Sequence, residues 1–152
     1  MIQAFSTPPF YTTYIQQPMS YDQSSHPLRL KRKLWPFFKN ALGAIDGSHI
    51  HAAPPAFYQV AFRNRKGFTS QNCLFCCSFD LRFTYALTGW EGSAADARVW
   101  HSAINSDLIV PDGWYYLADA GFPHCKQLLV PYRGIHYHLA EWGQAQLQYV
   151  AL

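Results

Sequence analysis

Charge is scarce in this sequence, and acid scarcer still. Charged residues make up 14% of the chain, and the nine acids include just two glutamates, Glu91 and Glu141. With so few carboxylates, each can be weighed singly as a candidate for chemistry. Long apolar runs are also missing. The opening "MIQAFSTPPFYTTYIQQPMSY" has neither a basic first segment nor an unbroken hydrophobic stretch. Neither a secretory signal nor a membrane anchor is expected, which points to an intracellular protein without a membrane partner. Cysteine is confined to positions 73, 76, 77 and 125. "QNCLFCCSF" reads as a strand, with Cys73 and Cys77 on one face and Cys76 on the other, which argues against a Cys-x-x-Cys zinc knuckle. Small buried thiols in a reducing compartment are the expectation.

What is present is apolar. Hydrophobic residues make up 49% of the chain and aromatics 17%, which excludes a disordered chain, and 152 residues suit one domain with a real core. The net charge of +3 permits a polyanionic partner without demanding one. Basic residues cluster twice, at Arg29, Lys31, Arg32 and Lys33 and again at Arg63, Arg65 and Lys66. Either cluster can be solvated surface or a set of phosphate contacts.

Residues 1–27 carry Pro8, Pro9, Pro18 and Pro27 among polar residues and show no apolar period, which predicts a poorly ordered arm. The domain proper is expected over 28–152. Its first strand is "ALGAID", whose apolar run stops at Asp46-Gly47. "TSQNCLFCCSFD" and "RFTYALTGW" predict an antiparallel hairpin turning through "SFDLR". "GSAADARVWHSAI" predicts a helix with Ser93 as N-cap and Asp96 in its first turn. "PDGWYYLADAGF" predicts a further strand ending at Asp119, and "LLVPYRG" adds a short apolar run. This order implies an α/β fold: a mixed sheet with helical cover.

Two acids share one setting. Asp46 in "GAIDGS" and Asp119 in "YLADAG" each close an apolar strand, and each is followed by glycine within two residues. On neighbouring strands their carboxylates can meet at one edge and hold a hard divalent cation, Mg²⁺ or Mn²⁺. Taken alone, Asp-Gly is also a common turn.

Beyond single motifs, "KNALGAIDGSHIHA", "RNRKGFTSQNCL", "FDLRFTYALTGWEGSAADARVW", "YYLADAGFP" and "LLVPYRGIHYHLAEW" follow one another in an order that closely resembles the Harbinger-type DDE transposase family, over about residues 28–143. The resemblance implies an RNase H-like core and metal-dependent cleavage and joining of DNA strands. It also implies that Asp46 and Asp119 are the first two metal-binding catalytic acids. The family's third acid is a glutamate on a helix downstream of the segment resembling "PYRGIHYHLAEW". Glu91 precedes the second aspartate, and Glu141 matches the "EW" segment, so the expectation is a partial DDE nuclease domain truncated at its C-terminus. The family also carries a helix-turn-helix region before its core, which the Pro-rich first 27 residues cannot supply. DNA binding is therefore expected to be weak and non-specific, through Arg63, Arg65 and Lys66, with a DNA-binding partner protein or a fuller transposase copy as further candidate partners, and a nuclear or cytoplasmic location.

Two rival readings stay open: a non-catalytic remnant that binds nucleic acid or a protein partner, and a histidine-based metal-binding protein. For the latter, His49 and His51, and again His136 and His138, repeat at i, i+2 and so share a face in an extended segment. In a regular strand Asp46 faces away from His49 and His51 unless Gly47 forms a bulge. Asp96 and His49 are auxiliary candidates for the acid site, and Asp96 is alternatively expected to pair with Arg98 or to cap its own helix. Most of the tryptophans are expected in the core rather than stacked on bases.

Overall fold

The computed structural model describes residues 8–18 and 26–134. Ten short elements follow in order. Helices α1 (Phe10–Tyr14) and α2 (Trp35–Phe38) lead into strand β1 (Ala41–His51). A 3-10 turn (Ala56–Tyr58) and α3 (Gln59–Phe62) connect to β2 (Ser70–Cys77) and β3 (Phe83–Glu91). Helix α4 (Asp96–Ser106), β4 (Tyr115–Leu117) and β5 (Leu128–Leu129) complete the fold. The strands form one sheet in the order β3-β2-β1-β4-β5. Pairs β3/β2 and β2/β1 are antiparallel, while β1/β4 and β4/β5 are parallel. This is the RNase H-like α/β arrangement expected from the sequence.

The apolar stripe of α4 accounts for its seat on the sheet. Val99, Trp100 and Ala103 sit on one helical face and pack with Ile45, Leu74, Cys76, Tyr85, Tyr116 and Phe122 into a single core. The Tyr85 ring is buried in that core, and its hydroxyl donates to Asp107 Oδ1 at 2.7 Å, just past the end of α4. Burial first, then the Asp107 carboxylate, holds the phenol far above its usual pKa. Trp100 is a core residue as expected, and Trp90 and Trp114 pack against the core from its margin. Residues 8–18 of the Pro-rich arm lie against the same body. Tyr11 donates its hydroxyl to Ala86 O on β3, and the Gln17 side chain brackets Asp107 O and Ile109 N.

Several boundaries differ from the sequence reading. Strand β1 does not stop at Asp46 but continues to His51, because its polar second half keeps an unbroken register with β2, from Ala44↔Cys77 to His51↔Ser70. No bulge interrupts that ladder at Gly47. Strand β4 ends at Leu117, leaving Asp119 in the turn beyond it. Helix α4 is capped by Ala95 instead of Ser93, whose backbone N–H is drawn to Ala61 O. All four cysteines are free. Cys73 and Cys76 are buried as expected, and burial pushes the Cys76 thiol up to about 12, but Cys125 is exposed.

Candidate functional site

The parallel pairing of β1 with β4 decides where the acids fall. Ala44 pairs with Leu117, so Asp46, two residues further along β1, and Asp119, two residues past the end of β4, leave neighbouring register positions in the same direction. Each aspartate turns its Oδ1 back to a following glycine. Gly47 N–H donates to Asp46 Oδ1 at 2.8 Å, and Gly121 N–H donates to Asp119 Oδ1 at 2.8 Å. That is why a glycine accompanies each acid: short aspartate side chains readily accept from nearby backbone, and the bond fixes the carboxylate in place.

A third carboxylate joins them. Asp96, in the first turn of α4, reaches across to the tail of β1 and β4. A Cβ placed on Gly47 would lie 2.2 Å from Asp96 Oδ1, and one placed on Gly121 would lie 3.2 Å from Asp96 Oδ2 and 3.0 Å from Asp119 Oδ1. The two glycines therefore leave the space in which the acids converge. Asp96 makes neither the pair with Arg98 nor the helix cap expected of it. Arg98 instead lies over the Trp90 ring at 5.8 Å, and Asp96 Oδ1 accepts from Asn72 Nδ2 at 2.9 Å. The acids sense one another. Partial burial is the largest cause raising the pKa of Asp46, the Gly47 N–H opposes it, and the charges of Asp119 and then Asp96 raise it further.

A carboxyl whose folded pKa is raised favours the fold at low pH and loses that contribution as pH rises through the raised value. Charged Asp46 thus works against stability at neutral pH. Asp46→Asn keeps the bond to Gly47 N–H and removes the repulsion, so it is expected to raise Tm at pH 7 by roughly 1–2 °C. Thermal denaturation followed by circular dichroism checks this, and a lower Tm would contradict it.

The other expected site residues are dispersed. His49 Nδ1 lies 3.0 Å from Ser70 Oγ, and His51 stacks on Phe68 at 4.3 Å, so both rings have local partners on the face opposite Asp46. Among the described residues no three His, Cys, Asp or Glu side chains stand close enough to grip one ion directly. Glu91 ends β3, paired with Gln71. His136, His138, Glu141 and Trp142 lie outside the described residues. Arg63, Arg65 and Lys66 are exposed in the loop before β2. That loop is pinned by buried Asn64, whose Nδ2 donates to Ser70 Oγ at 3.0 Å and whose Oδ1 accepts from Lys66 N at 2.9 Å. Arg65, His49, Ser93, Asp96 and Gly121 line one cleft of about 180 Å³ beside the acids. A larger depression of about 500 Å³, lined by Thr13, Gln16, Ser78 and Arg82 among others, contains no carboxylate and lies elsewhere.

Sequence reasoning missed Asn64 and Asn72. The available signal was their poor fit to a strand setting: asparagine is depleted from strands, and a buried one needs partners.

The sheet and its helices make an RNase H-like domain with Asp46, Asp96 and Asp119 sensing one another beside it. The family described as DDE superfamily endonuclease matches residues 45–150, and the chain belongs to it. The chain is also similar to relatives named putative nuclease HARBI1. The one from Rattus norvegicus is 32% identical over 94 residues, covering 59% of this chain, and the one from Homo sapiens is 30% identical over the same length. The match spans 27% of the length of each of these relatives. No solved structure matches the chain.

Proposed function

We propose that this domain derives from nucleases that act on DNA phosphodiesters and takes up a divalent cation where Asp46 and Asp119 lie near one another. The single observation that supports the reading is the Ala44↔Leu117 register, two residues before each aspartate, together with the charge of Asp119 felt at Asp46. The donor set fits Mg²⁺ or Mn²⁺. It consists of carboxylate oxygens with room between them at Gly47 and Gly121, and hard cations that retain several waters suit such a spacing better than Zn²⁺ does. When bound, divalent ions supply Lewis acidity at a phosphoryl oxygen and generate a nucleophile at neutral pH. In this chain Asp46 and Asp119 would hold the cation, each oriented by its glycine N–H. Arg65, on the rim of the adjoining cleft, offers a phosphate contact.

The catalytic set within these 152 residues is incomplete. Neither Glu91, at the end of β3, nor Glu141 matches the third acid of the resemblance, and two aspartates leave a second ion unfixed. The test has two parts. Mn²⁺ binding, followed by the spectrum of the free ion, is expected to weaken at least tenfold in Asp46→Asn and in Asp119→Asn, while plasmid nicking by the unaltered protein stays at background. Equal Mn²⁺ affinity in both variants would overturn the site. Nicking that Asp119→Asn abolishes would overturn the incompleteness.

Exposed Arg63, Arg65 and Lys66, in a loop anchored by Asn64, favour a second reading: a domain that holds nucleic acid without cutting it, in the nucleus, alone or beside a DNA-binding partner or a fuller transposase copy. Replacing all three by alanine is expected to flatten the slope of log affinity against log salt by roughly 2–3 units, one phosphate contact for each cation. An unchanged slope would reduce the loop to solvated surface.

A further inference from the structure

The connection between β1 and β2 displays apolar side chains on a backbone that is firmly held. Ala52 N–H donates to Thr69 O at 3.1 Å, Arg63 bridges Thr69, and Ala61 O accepts from Ser93 N–H at 3.2 Å. Despite these anchors, Phe57 is 88% exposed, Tyr58 54% and Val60 84%. Neither the 3-10 turn nor α3 buries any of its residues. The Phe57 and Tyr58 rings meet edge to face, with 5.1 Å between centroids and 83° between planes, so they brace one another while staying open to solvent. A single exposed apolar residue is ordinary, but a cluster on an anchored turn marks an interaction surface.

Charge decides what that surface takes. Arg63, Arg65 and Lys66 follow the cluster directly, and no acid occurs between Asp46 and Asp80. Among the described residues none of these three cations has a carboxylate partner. A ligand that satisfies both features is a polyanion carrying flat apolar rings. In a duplex the base faces are closed against one another, whereas an unpaired strand offers each base to an aromatic side chain and each phosphate to a cation. We propose that Phe57 and Tyr58 form a stacking platform for the bases of single-stranded nucleic acid whose phosphates lie on Arg63, Arg65 and Lys66. This rests on the reading of the domain as one that holds nucleic acid, and it names the partner as an unpaired strand. The single turn of α3 separates platform from cations by roughly 6 Å, so one strand reaches both. Arg65 also borders the cleft beside Asp96 and Gly121, which places the strand's path next to the acids.

The experiment measures fluorescence anisotropy of three labelled probes of equal length: oligothymidylate, an abasic strand with the same phosphates, and an oligothymidylate–oligoadenylate duplex. It uses the whole chain in EDTA, so that no cation contributes, with Tm recorded for every variant. Oligothymidylate is expected to bind about fivefold or more tightly than the abasic strand. Phe57→Ala combined with Tyr58→Ala should lower oligothymidylate affinity about tenfold, leave the abasic and duplex affinities within about twofold, and keep Tm, because both rings are exposed. Tyr58→Phe, which retains the ring, should bind like the unaltered protein. If the double variant binds oligothymidylate as before while alanine at Arg63, Arg65 and Lys66 still flattens the salt dependence, the platform fails and the nucleic-acid reading stands. If the unaltered protein binds none of the probes, that reading fails and takes the platform with it. A double variant that turns a self-associated protein into a monomer, with oligothymidylate binding unchanged, would assign the patch to contacts between copies and overturn the inference.

Discussion

Gly43→Ala is expected to abolish the folded state. A Cβ at position 43 would lie 2.0 Å from Cys77 O, 2.9 Å from Cys77 C and 3.0 Å from Ser78 Cα. All three are backbone atoms, so no rotamer change can relieve the overlap. Gly43 sits between β4, where it pairs with Tyr116, and the end of β2, where the neighbouring Ala44 pairs with Cys77. Relief requires parting β1 from β2 at the centre of the sheet, breaking ladder bonds and opening the core around Leu42 and Tyr116. The backbone at Gly43 adds to the problem, with φ at +156°. A cost of at least about 4 kcal/mol is expected, against a total stability of about 5–15 kcal/mol for a domain of this kind. Gly67→Ala is the control. It also has a positive φ, +86°, but nothing within 4 Å, so it should lose only about 1–2 kcal/mol of backbone preference. Urea denaturation distinguishes the two: loss of the cooperative transition in Gly43→Ala is expected, and a midpoint close to that of the unaltered protein would refute the account.

Position 43 also shows what the sequence could and could not reveal. The apolar run through Ala41, Leu42 and Ile45 made β1 readable as a strand, and the Asp-Gly ending made Asp46 conspicuous. The same ending misled about length. Polar Ser48, His49 and His51 look like a loop, yet their backbone pairs with Cys73, Asn72 and Ser70. Pairing energy comes from the neighbour, and no local pattern in β1 records it. Helix α4 was legible from Val99, Trp100 and Ala103, but its start was not. Gly92 is wedged where a Cβ would meet Phe62 O at 2.4 Å and Ser70 Oγ at 2.5 Å, and Ser93 N–H bonds to Ala61 O. Those tertiary contacts hold the chain away from helix until Ala95, overriding the capping preference of Ser93.

The convergence of Asp46 and Asp119 was legible because both acids carry the same local signature and lie within recognisable motifs. The place of Asp96 was not, since it depends on Asn72, 24 residues earlier and on another element. In "TSQNCLFCCSFD" that asparagine is one polar residue among several, and nothing local shows that it is buried and reaches for a helix. A buried side-chain contact between distant segments has no periodicity to read, so structure was needed to promote Asp96 from auxiliary candidate to neighbour of the other two acids.

Four residues beyond Gly43, the same substitution is expected to spare the fold and displace the Asp96 side chain. A Cβ on Gly47 would overlap Asp96 Oδ1 at 2.2 Å and Asp96 Cγ at 2.9 Å, and would crowd Asn72 Oδ1 at 3.3 Å. These are side-chain atoms only. Position 47 has an ordinary φ, and its pairing with Leu74 does not depend on its side chain. The clash can therefore be relieved by swinging the Asp96 carboxylate away, which breaks its bond to Asn72 Nδ2 and withdraws it from Asp119. Such local overpacking costs about 1–3 kcal/mol, so Gly47→Ala should keep a cooperative unfolding transition with Tm lowered by several degrees. Combining Gly47→Ala with Asp96→Ala should then add little to the Tm loss of either change alone, since both remove the same bond to Asn72 Nδ2. Additive losses in the double variant would show that Gly47→Ala acts through the strand instead of through Asp96.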